Sequence, residues 1–138
     1  MTGEGPIRWG ILGCGDVARR RVAGAIAEDP GSELVAACRR NAEELEQFCS
    51  DFSVPRGYTD AADLIGDLDI DAVYIATPVD RHLAQTLACA AVGKHVLCEK
   101  PMAMSVEECD QMIAACDGAG VTLGLAYYRR FYPVVDRI

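Results

Sequence analysis

The chain has 138 residues, of which 51% are hydrophobic and 25% charged, a composition typical of a globular protein with one domain. Its formal net charge of −8 opposes binding to nucleic acid or to an anionic membrane surface, because such a partner repels the whole molecule. No apolar run approaches the ~18 residues of a membrane span, and the first ten residues lack the basic and apolar regions of a signal peptide. We therefore expect no nucleic acid and no membrane among its partners.

The cysteines indicate a reducing compartment. None belongs to a Cys-x-x-Cys pair and no histidine lies at metal-ligand spacing from them, so we expect no metal site. Most fall at apolar positions of predicted strands or helices, where a reduced cysteine acts as a small hydrophobic residue. We expect a cytoplasmic protein. The seven are Cys14, Cys38, Cys49, Cys89, Cys98, Cys109 and Cys116.

Strand-like and helix-like patterns alternate along the chain, which predicts a parallel sheet. The first strand is predicted over residues 7–12, and the segment "GCGDVA" leads from it into a helix. That helix should bury Ala18, Val22, Ala25 and Ile26, which fall on one face. The second strand is predicted over residues 34–38.

The second helix should begin at Asn41, whose side chain can cap it while Glu44 reaches back from three residues later. Further strands are predicted near Tyr58 and over 72–76, 95–98 and 122–126, and further helices over 61–65, over 82–92 and after Ser105, where Ser105 and Glu108 make another capping box. The last helix should bury Cys109, Met112, Ile113 and Cys116. Six strands with intervening helices predict a doubly wound parallel sheet in three α/β/α layers, the Rossmann fold, with spatial order 3-2-1-4-5-6.

The turn "GCGDVA" predicts dinucleotide binding. Gly13 allows a tight turn, Gly15 lets the backbone approach a pyrophosphate, and Ala18 lets the helix pack against the strand. The helix N-terminus then faces the phosphates. The alternative is a tight strand-to-helix turn without a ligand.

The end of the second strand favours NADP over NAD. An NAD site usually places an acid there for the ribose hydroxyls, whereas this chain has Arg39 followed by Arg40. Two guanidinium groups can bind a 2′-phosphate. The alternative is that both arginines lie on a solvent-facing loop, and NAD remains possible.

The carboxyl ends of the other strands should gather at the same rim. They supply Thr77, Pro78 and His82 after the fourth strand, Glu99, Lys100 and Pro101 after the fifth, and Tyr127, Tyr128, Arg129 and Arg130 after the sixth.

These residues carry a resemblance. The segments "GILGCGDVA", "DAVYIATPVDRH", "GKHVLCEKPMA" and "AYYRRFYP" are together similar to the glucose-fructose oxidoreductase, inositol dehydrogenase and MocA family of oxidoreductases. The resemblance implies that His82 borders the nicotinamide half of the cofactor together with Thr77 and Pro78. It also implies that the pyrophosphate is held by Gly13, Cys14, Gly15, Asp16, Val17 and Ala18.

Glu99, Lys100 and Pro101 match the family's Glu-Lys-Pro motif. In relatives its lysine lies close to the nicotinamide and the substrate alcohol, and the peptide before the proline is often cis. Alternation along an extended segment sends Glu99 and Lys100 to different sides, so Lys100 can face the ligand as the catalytic residue while Glu99 braces the loop. The alternative is an exposed Glu-Lys pair beside a turn.

His82 and Arg129 are two further candidates for contact with the cofactor. A lone histidine at a helix start is more often structural than catalytic, so His82 is interpreted as cofactor-adjacent. Arg129 can contact a cofactor phosphate or a partner domain, and the alternative is a salt bridge at the rim.

Members of the family continue into a second domain, a mostly antiparallel sheet that carries substrate contacts. We expect residues 1–126 to form the NAD(P)-binding domain and residues 127–138, which resemble the start of a new helix, to begin the connection into a C-terminal substrate domain that is absent here. Exposed apolar surface at that junction predicts self-association or docking of the missing domain.

Two hypotheses follow. In the first, the chain is the nucleotide-binding domain of an NADP(H)-preferring oxidoreductase that transfers hydride to or from a CH–OH group of a sugar, cyclitol or related polyol. In the second, it is an isolated noncatalytic NAD(P)-binding or partner-binding module of a truncated or split enzyme.

Overall fold

The computed structural model describes residues 5–135 and residue 137. Six parallel strands form one sheet in the predicted order β3-β2-β1-β4-β5-β6, so the predicted doubly wound topology is confirmed. Their bounds are β1 (Ile7–Leu12), β2 (Ser32–Cys38), β3 (Arg56–Tyr58), β4 (Ala72–Ile75), β5 (His95–Glu99) and β6 (Leu123–Ala126).

Helices cover both faces of the sheet. Their bounds are α1 (Ala23–Glu28), α2 (Ala42–Asp51), α3 (Ala61–Ile65), α4 (His82–Ala91) and α5 (Val106–Ala119). Buried side chains of α1 and α2 pack with one face of the sheet, and those of α3, α4 and α5 pack with the other. Among the described residues, no helix combines the length and the apolar character needed to cross a bilayer.

The helix after β1 differs from the prediction. The segment Ala18–Val22 is π-helical, and the N–H of Ala23 donates to the carbonyl oxygen of Ala18, five residues earlier. The wider turn shifts the helical phase, so Ala23 and Ile26 are buried and Ala25 is exposed. The predicted burial of Ala25 is therefore wrong.

Side-chain caps start the second and fifth helices where the sequence predicted them. The Asn41 side chain accepts from the N–H of Glu44 at 3.0 Å, and the Ser105 hydroxyl accepts from the N–H of Glu108 at 3.2 Å. The Glu44 carboxylate does not complete the predicted capping box, because it pairs with the Arg39 guanidinium instead. On α5, Met112 and Cys116 are buried as predicted, whereas Ile113 is exposed.

The segment after β6 is a short 3₁₀ turn, Tyr128–Phe131, rather than the start of an α-helix. Tyr132 is extended, with φ −73° and ψ 134°, which is the conformation favoured before a proline such as Pro133. Residues 136 and 138, which the helix prediction also included, lie outside the described residues.

Candidate functional site

A cleft of about 520 Å³ opens at the carboxyl ends of the central strands. It lies where the strand order reverses, since β2 adjoins one side of β1 and β4 adjoins the other. Open parallel sheets bind their ligands at this position. Seven residues predicted from the sequence to bind a cofactor line it: Gly13, Cys14, Gly15, Arg39, Arg40, Thr77 and Pro78.

Gly13 closes the turn after β1 against the end of β4. Its φ is +85°, a left-handed conformation that favours glycine, and its N–H donates to the Cys38 carbonyl oxygen at 3.0 Å. A Cβ at this position would lie 2.8 Å from the backbone of Ala76 and 2.9 Å from the nitrogen of Thr77. The turn therefore needs glycine for its own geometry, whether or not a ligand binds.

Gly15 faces open space instead. A Cβ there would meet no atom of the described residues within 4 Å, so no contact among them accounts for the missing side chain. The exposed residues Asp16 and Val17 open the helix, and the first N–H groups of a helix lack partners within it. A bare backbone beside a helix N-terminus is the arrangement that a pyrophosphate needs.

Ala18 does not belong to the ligand surface. It is 0% exposed and packs with Ile11 and Ala37 in the core beneath the turn. The implied contact of Ala18 with the pyrophosphate is therefore corrected, because no atom of this residue reaches the cleft. Ala18 instead packs the helix against the strand, which is the other role inferred for it from the sequence.

The two arginines after β2 have different surroundings. One nitrogen of the Arg39 guanidinium donates to the Cys14 carbonyl oxygen at 2.9 Å, and the other lies 2.7 Å from the Glu44 carboxylate. Arg39 therefore joins the glycine turn to the start of α2. Arg40 lines the same cleft and is exposed, and among the described residues it forms no ion pair.

Two thiols form part of the cleft wall. Cys14 and Cys38 are buried, and burial raises the pKa of each thiol from 9.0 to about 11. Both are therefore protonated at neutral pH and act as small apolar side chains rather than as nucleophiles. Among the described residues, no group of His, Cys, Asp and Glu side chains could hold a metal ion.

His82 lies beneath the rim, not in the cleft. It is 1% exposed; its Nε2 is 2.8 Å from the Thr77 carbonyl oxygen, and its Nδ1 is 3.1 Å from those of Pro101 and Met102. The imidazole thus ties the loop after β4 to the loop after β5. The prediction that His82 binds the cofactor is corrected accordingly, because burial prevents contact and leaves it a positioning role.

Glu99 braces the end of β5, as its predicted orientation requires. Its carboxylate accepts from the Tyr74 hydroxyl at 2.9 Å and from the N–H of Lys100 at 2.8 Å. Burial, and then the hydrogen bond to Glu99, raise the pKa of Tyr74, so its hydroxyl stays a donor. The peptide between Lys100 and Pro101 is cis. Glu99 and Pro101 therefore shape the loop and do not line the cleft of the central strands.

Lys100 lines a second, smaller cleft. This space of about 250 Å³ lies at the carboxyl ends of β5 and β6 and is bordered by Lys100, Tyr127, Tyr128 and Arg129. The Arg21 guanidinium lies 4.7 Å from the centre of the Tyr128 ring and holds one wall in place. Since β5 is the second strand from β1, Lys100 lies roughly 10 Å along the rim from the glycine turn.

Eight residues that line the larger cleft were not predicted as site residues; three of them, Leu12, Cys38 and Ala76, lie at or just after the ends of β1, β2 and β4. Thr59, Asp60 and Ala61 follow β3, and Arg81 and Gln85 belong to the turn and helix after β4. The Asp60 side chain caps α3, accepting from the N–H of Ala62 at 2.8 Å, and the Thr77 hydroxyl pairs with Gln85. The carboxyl end of the third strand was a signal available in the sequence, since every parallel strand ends at the same edge.

Comparison with known proteins places these features in a family. Residues 7–127 match the Gfo/Idh/MocA oxidoreductase family, described by its NAD-binding Rossmann fold. The chain is 41% identical over 123 residues to the 1,5-anhydro-D-fructose reductase of Ensifer adhaerens. This match covers 89% of this chain and 37% of that protein.

Solved structures share the fold. A 3-ketoreductase from Actinomadura kijaniata, in complex with TDP-benzene and NADP, superposes with a TM-score of 0.91 at 28% identity, covering 96% of this chain and 42% of that one. The WlbA dehydrogenase from Bordetella pertussis, in complex with NADH and UDP-GlcNAcA, gives 0.88 at 33% identity, covering 96% and 40%. The chain therefore spans about 40% of the length of these relatives.

Proposed function

The chain belongs to the Gfo/Idh/MocA family of NAD(P)-dependent oxidoreductases, and we propose that it is the NADP(H)-preferring nucleotide-binding domain of an enzyme acting on a CH–OH group of a sugar, cyclitol or related polyol. One observation carries this proposal. The glycine turn, two arginines and the loop after β4 line a single cleft at the topological switch point. The sugar-related relatives support the substrate class.

The cleft fits a dinucleotide on its own geometry. Gly15 leaves a space beside the backbone that a methyl group would fill, and the helix N-terminus adjoins it. We assign the pyrophosphate to the backbone of Gly13, Cys14, Gly15, Asp16 and Val17. Thr77 and Pro78 then border the half of the cofactor that extends towards β5.

The preference for NADP rests on charge. An NAD site usually carries an acid at the end of β2, and this chain places Arg39 and Arg40 in the cleft there. A 2′-phosphate is a dianion that guanidinium groups bind well. Of the two related structures, one has bound NADP and the other NADH, so the proposed preference for NADP rests on the arginines of this chain.

Lys100 is the catalytic residue of the proposal. The bound nicotinamide supplies or accepts the hydride, and Lys100 moves the proton of the substrate hydroxyl. In the oxidising direction, Lys100 would accept that proton as the hydride leaves the carbon. Arg129, in the same cleft, supplies a positive charge for a cofactor phosphate or a substrate oxygen.

The division of the chain is part of the proposal. Residues 1–126 form the NAD(P)-binding unit and residues 127–138 lead towards further structure. Exposed apolar side chains support this reading, because Phe131 in the segment after β6 is 80% exposed and Tyr127 and Val134 are also exposed. We propose that a C-terminal domain or a second copy of the chain covers them.

The second candidate is a noncatalytic NAD(P)-binding or partner-binding module. The small size of the cleft at Lys100 favours it, since about 250 Å³ is below the usual range for a small-molecule site. For either candidate we propose a cytoplasmic location, supported by the burial of five unpaired thiols.

Calorimetric titration with NADPH and NADH tests cofactor choice. We expect NADPH to bind more tightly, and Arg40→Glu to weaken NADPH at least tenfold more than NADH. Arg20→Glu, an equal charge change at an exposed residue outside the cleft, should affect both cofactors alike. Equal loss of both cofactors in the Arg40 variant would refute the 2′-phosphate assignment.

Arg40 is a sharper probe than Arg39. Because Arg39 also holds the carbonyl oxygen of Cys14, its replacement disturbs the pyrophosphate turn and weakens both cofactors. Hydride transfer is then tested by the absorbance of reduced cofactor with a panel of polyols, with the C-terminal domain added in trans. Tight cofactor binding without turnover in the completed protein would support the noncatalytic module.

A further inference from the structure

The Arg39 guanidinium already has an anionic partner at the edge of the cofactor cleft. Its second terminal nitrogen lies 2.7 Å from the Glu44 carboxylate, and its first donates to the Cys14 carbonyl oxygen. Glu44 is 52% exposed on its side chain and lies in the first turn of α2, so its carboxylate is not required by the core. The ion pair is therefore positioned where a ligand of Arg39 would arrive.

Carboxylate and phosphate recognise the same donors of an arginine. Both bind the planar fork of N–H groups, often through two parallel hydrogen bonds. A phosphate that binds Arg39 must either displace Glu44 or lie within about one guanidinium width of its negative charge.

We propose that Glu44 is a specificity-determining residue whose carboxylate competes with the 2′-phosphate of NADP for Arg39. This inference rests on the proposed binding of NADP at the cleft. NAD carries no phosphate on that ribose, so the competition applies to NADP alone. Glu44 thereby keeps the NADP-to-NAD preference below the value that two arginines would otherwise give.

Coulomb's law sets the size of the effect. In a water-like dielectric, a unit negative charge some 6 Å from a phosphate dianion changes its affinity about three- to tenfold. The other charged groups of the cleft, Arg40, Arg81 and Asp60, are unchanged when Glu44 alone is neutralised.

The test is Glu44→Gln with Glu43→Gln as its matched control. Glutamine keeps the length and one acceptor oxygen of Glu44, so Arg39 can stay in place while the charge is lost. Glu43 lies in the same first turn, and its replacement makes the same change in net charge and in the interaction with the helix dipole. Among the described residues, no ion pair involves Glu43.

Dissociation constants for NADPH and NADH are measured by calorimetry at low and at 0.5 M salt. We expect Glu44→Gln to tighten NADPH about three- to tenfold at low salt and NADH less than twofold, with a smaller difference at high salt. Glu43→Gln should change both less than twofold. An unchanged ratio would overturn the inference, as would a ratio that rises only because NADH binds more weakly.

The two proposals fail differently. If the unmodified chain prefers NADPH and Arg40→Glu removes that preference while Glu44→Gln has no effect, only the competition is wrong. If the unmodified chain binds neither cofactor, both proposals are wrong.

Discussion

The two glycines of the turn should respond oppositely to the same substitution. Gly15→Ala adds a methyl group to open space, so we expect the free energy of unfolding to change by less than about 1 kcal/mol. Gly13→Ala adds one 2.8 Å from the backbone of Ala76 at a φ of +85°. The left-handed conformation alone costs an alanine about 1–2 kcal/mol.

The contact between the new methyl group of Gly13→Ala and the backbone of Ala76 is too short, so the backbone must also shift, and this shift adds to the cost. Neither the turn nor the end of β4 can rotate away as a flexible side chain would, and overpacking of this kind costs about 1–3 kcal/mol. We expect a total loss near 2–5 kcal/mol of unfolding free energy for Gly13→Ala.

For cofactor affinity, we expect the direct loss in Gly15→Ala, the variant whose stability is nearly unchanged. The methyl group of Gly15→Ala would occupy the place beside the backbone that we propose for the pyrophosphate. Loss of one charge-assisted hydrogen bond, at about 1.5–3 kcal/mol, weakens NADPH roughly 10- to 150-fold. Gly15→Ala is therefore expected to fold normally and to bind poorly.

Urea unfolding followed by the fluorescence of Trp9 measures the stability of each variant. Trp9 is the single tryptophan; it lies half-buried on β1 and its Nε1 donates to the Ser32 hydroxyl at 3.2 Å. Gly118→Ala, in open space within α5, is the control and should gain about 0.5–1 kcal/mol with NADPH affinity unchanged. Normal NADPH affinity in Gly15→Ala would refute the placement of the pyrophosphate.

Two further predictions concern the lysine and the buried thiols. Lys100→Ala, in a chain completed with its C-terminal domain, should lower turnover about 10²- to 10⁴-fold and leave the NADPH dissociation constant within about twofold; unchanged turnover would reject its catalytic role. Burial raises the pKa of Cys14 and Cys38 to about 11, and of Cys89 and Cys98 to about 12, from 9.0. Their folded pKa exceeds the unfolded value, so their contribution to stability is fully present below pH 9 and is lost between pH 9 and about 11 or 12. Urea unfolding at pH 8, 9 and 10 should show that the free energy of unfolding falls by about 1 kcal/mol per thiol between pH 9 and pH 10. A free energy of unfolding that stays constant over this range would contradict the prediction.

Most of the fold follows from local signals. Most strands of the sheet are short runs rich in apolar residues, with β3 (Arg-Gly-Tyr) as the exception, and two of the helices begin at side-chain caps that the sequence predicted. Parallel strands share one edge for their carboxyl ends, so Gly13, Arg39 and Thr77 could be placed together without coordinates.

Other features depend on the assembled structure. The π-helical turn changes which alanine is buried, and a pattern of period 3.6 does not contain that shift. The place of His82 is set by carbonyl groups of two loops, one of them about twenty residues away, so its burial could not be derived from its position at a helix start. Arg81 and Gln85 line the cleft from the 3₁₀ turn and the helix α4 that follow β4, and their positions depend on how these two elements pack.

The hydrogen bond from Arg39 to the Cys14 carbonyl oxygen limits which residues can be changed to alter the choice of cofactor. The single Arg39 guanidinium binds the turn that we propose to face the pyrophosphate and also borders the proposed 2′-phosphate position, so we expect its replacement to alter both positions together. Arg40 and Glu44 have no such contact with the turn among the described residues. Under the proposed function, we therefore expect changes at these two positions to alter the preference between NADP and NAD while the glycine turn keeps its geometry. An acid in place of Arg39 would instead remove the hydrogen bond to the Cys14 carbonyl oxygen.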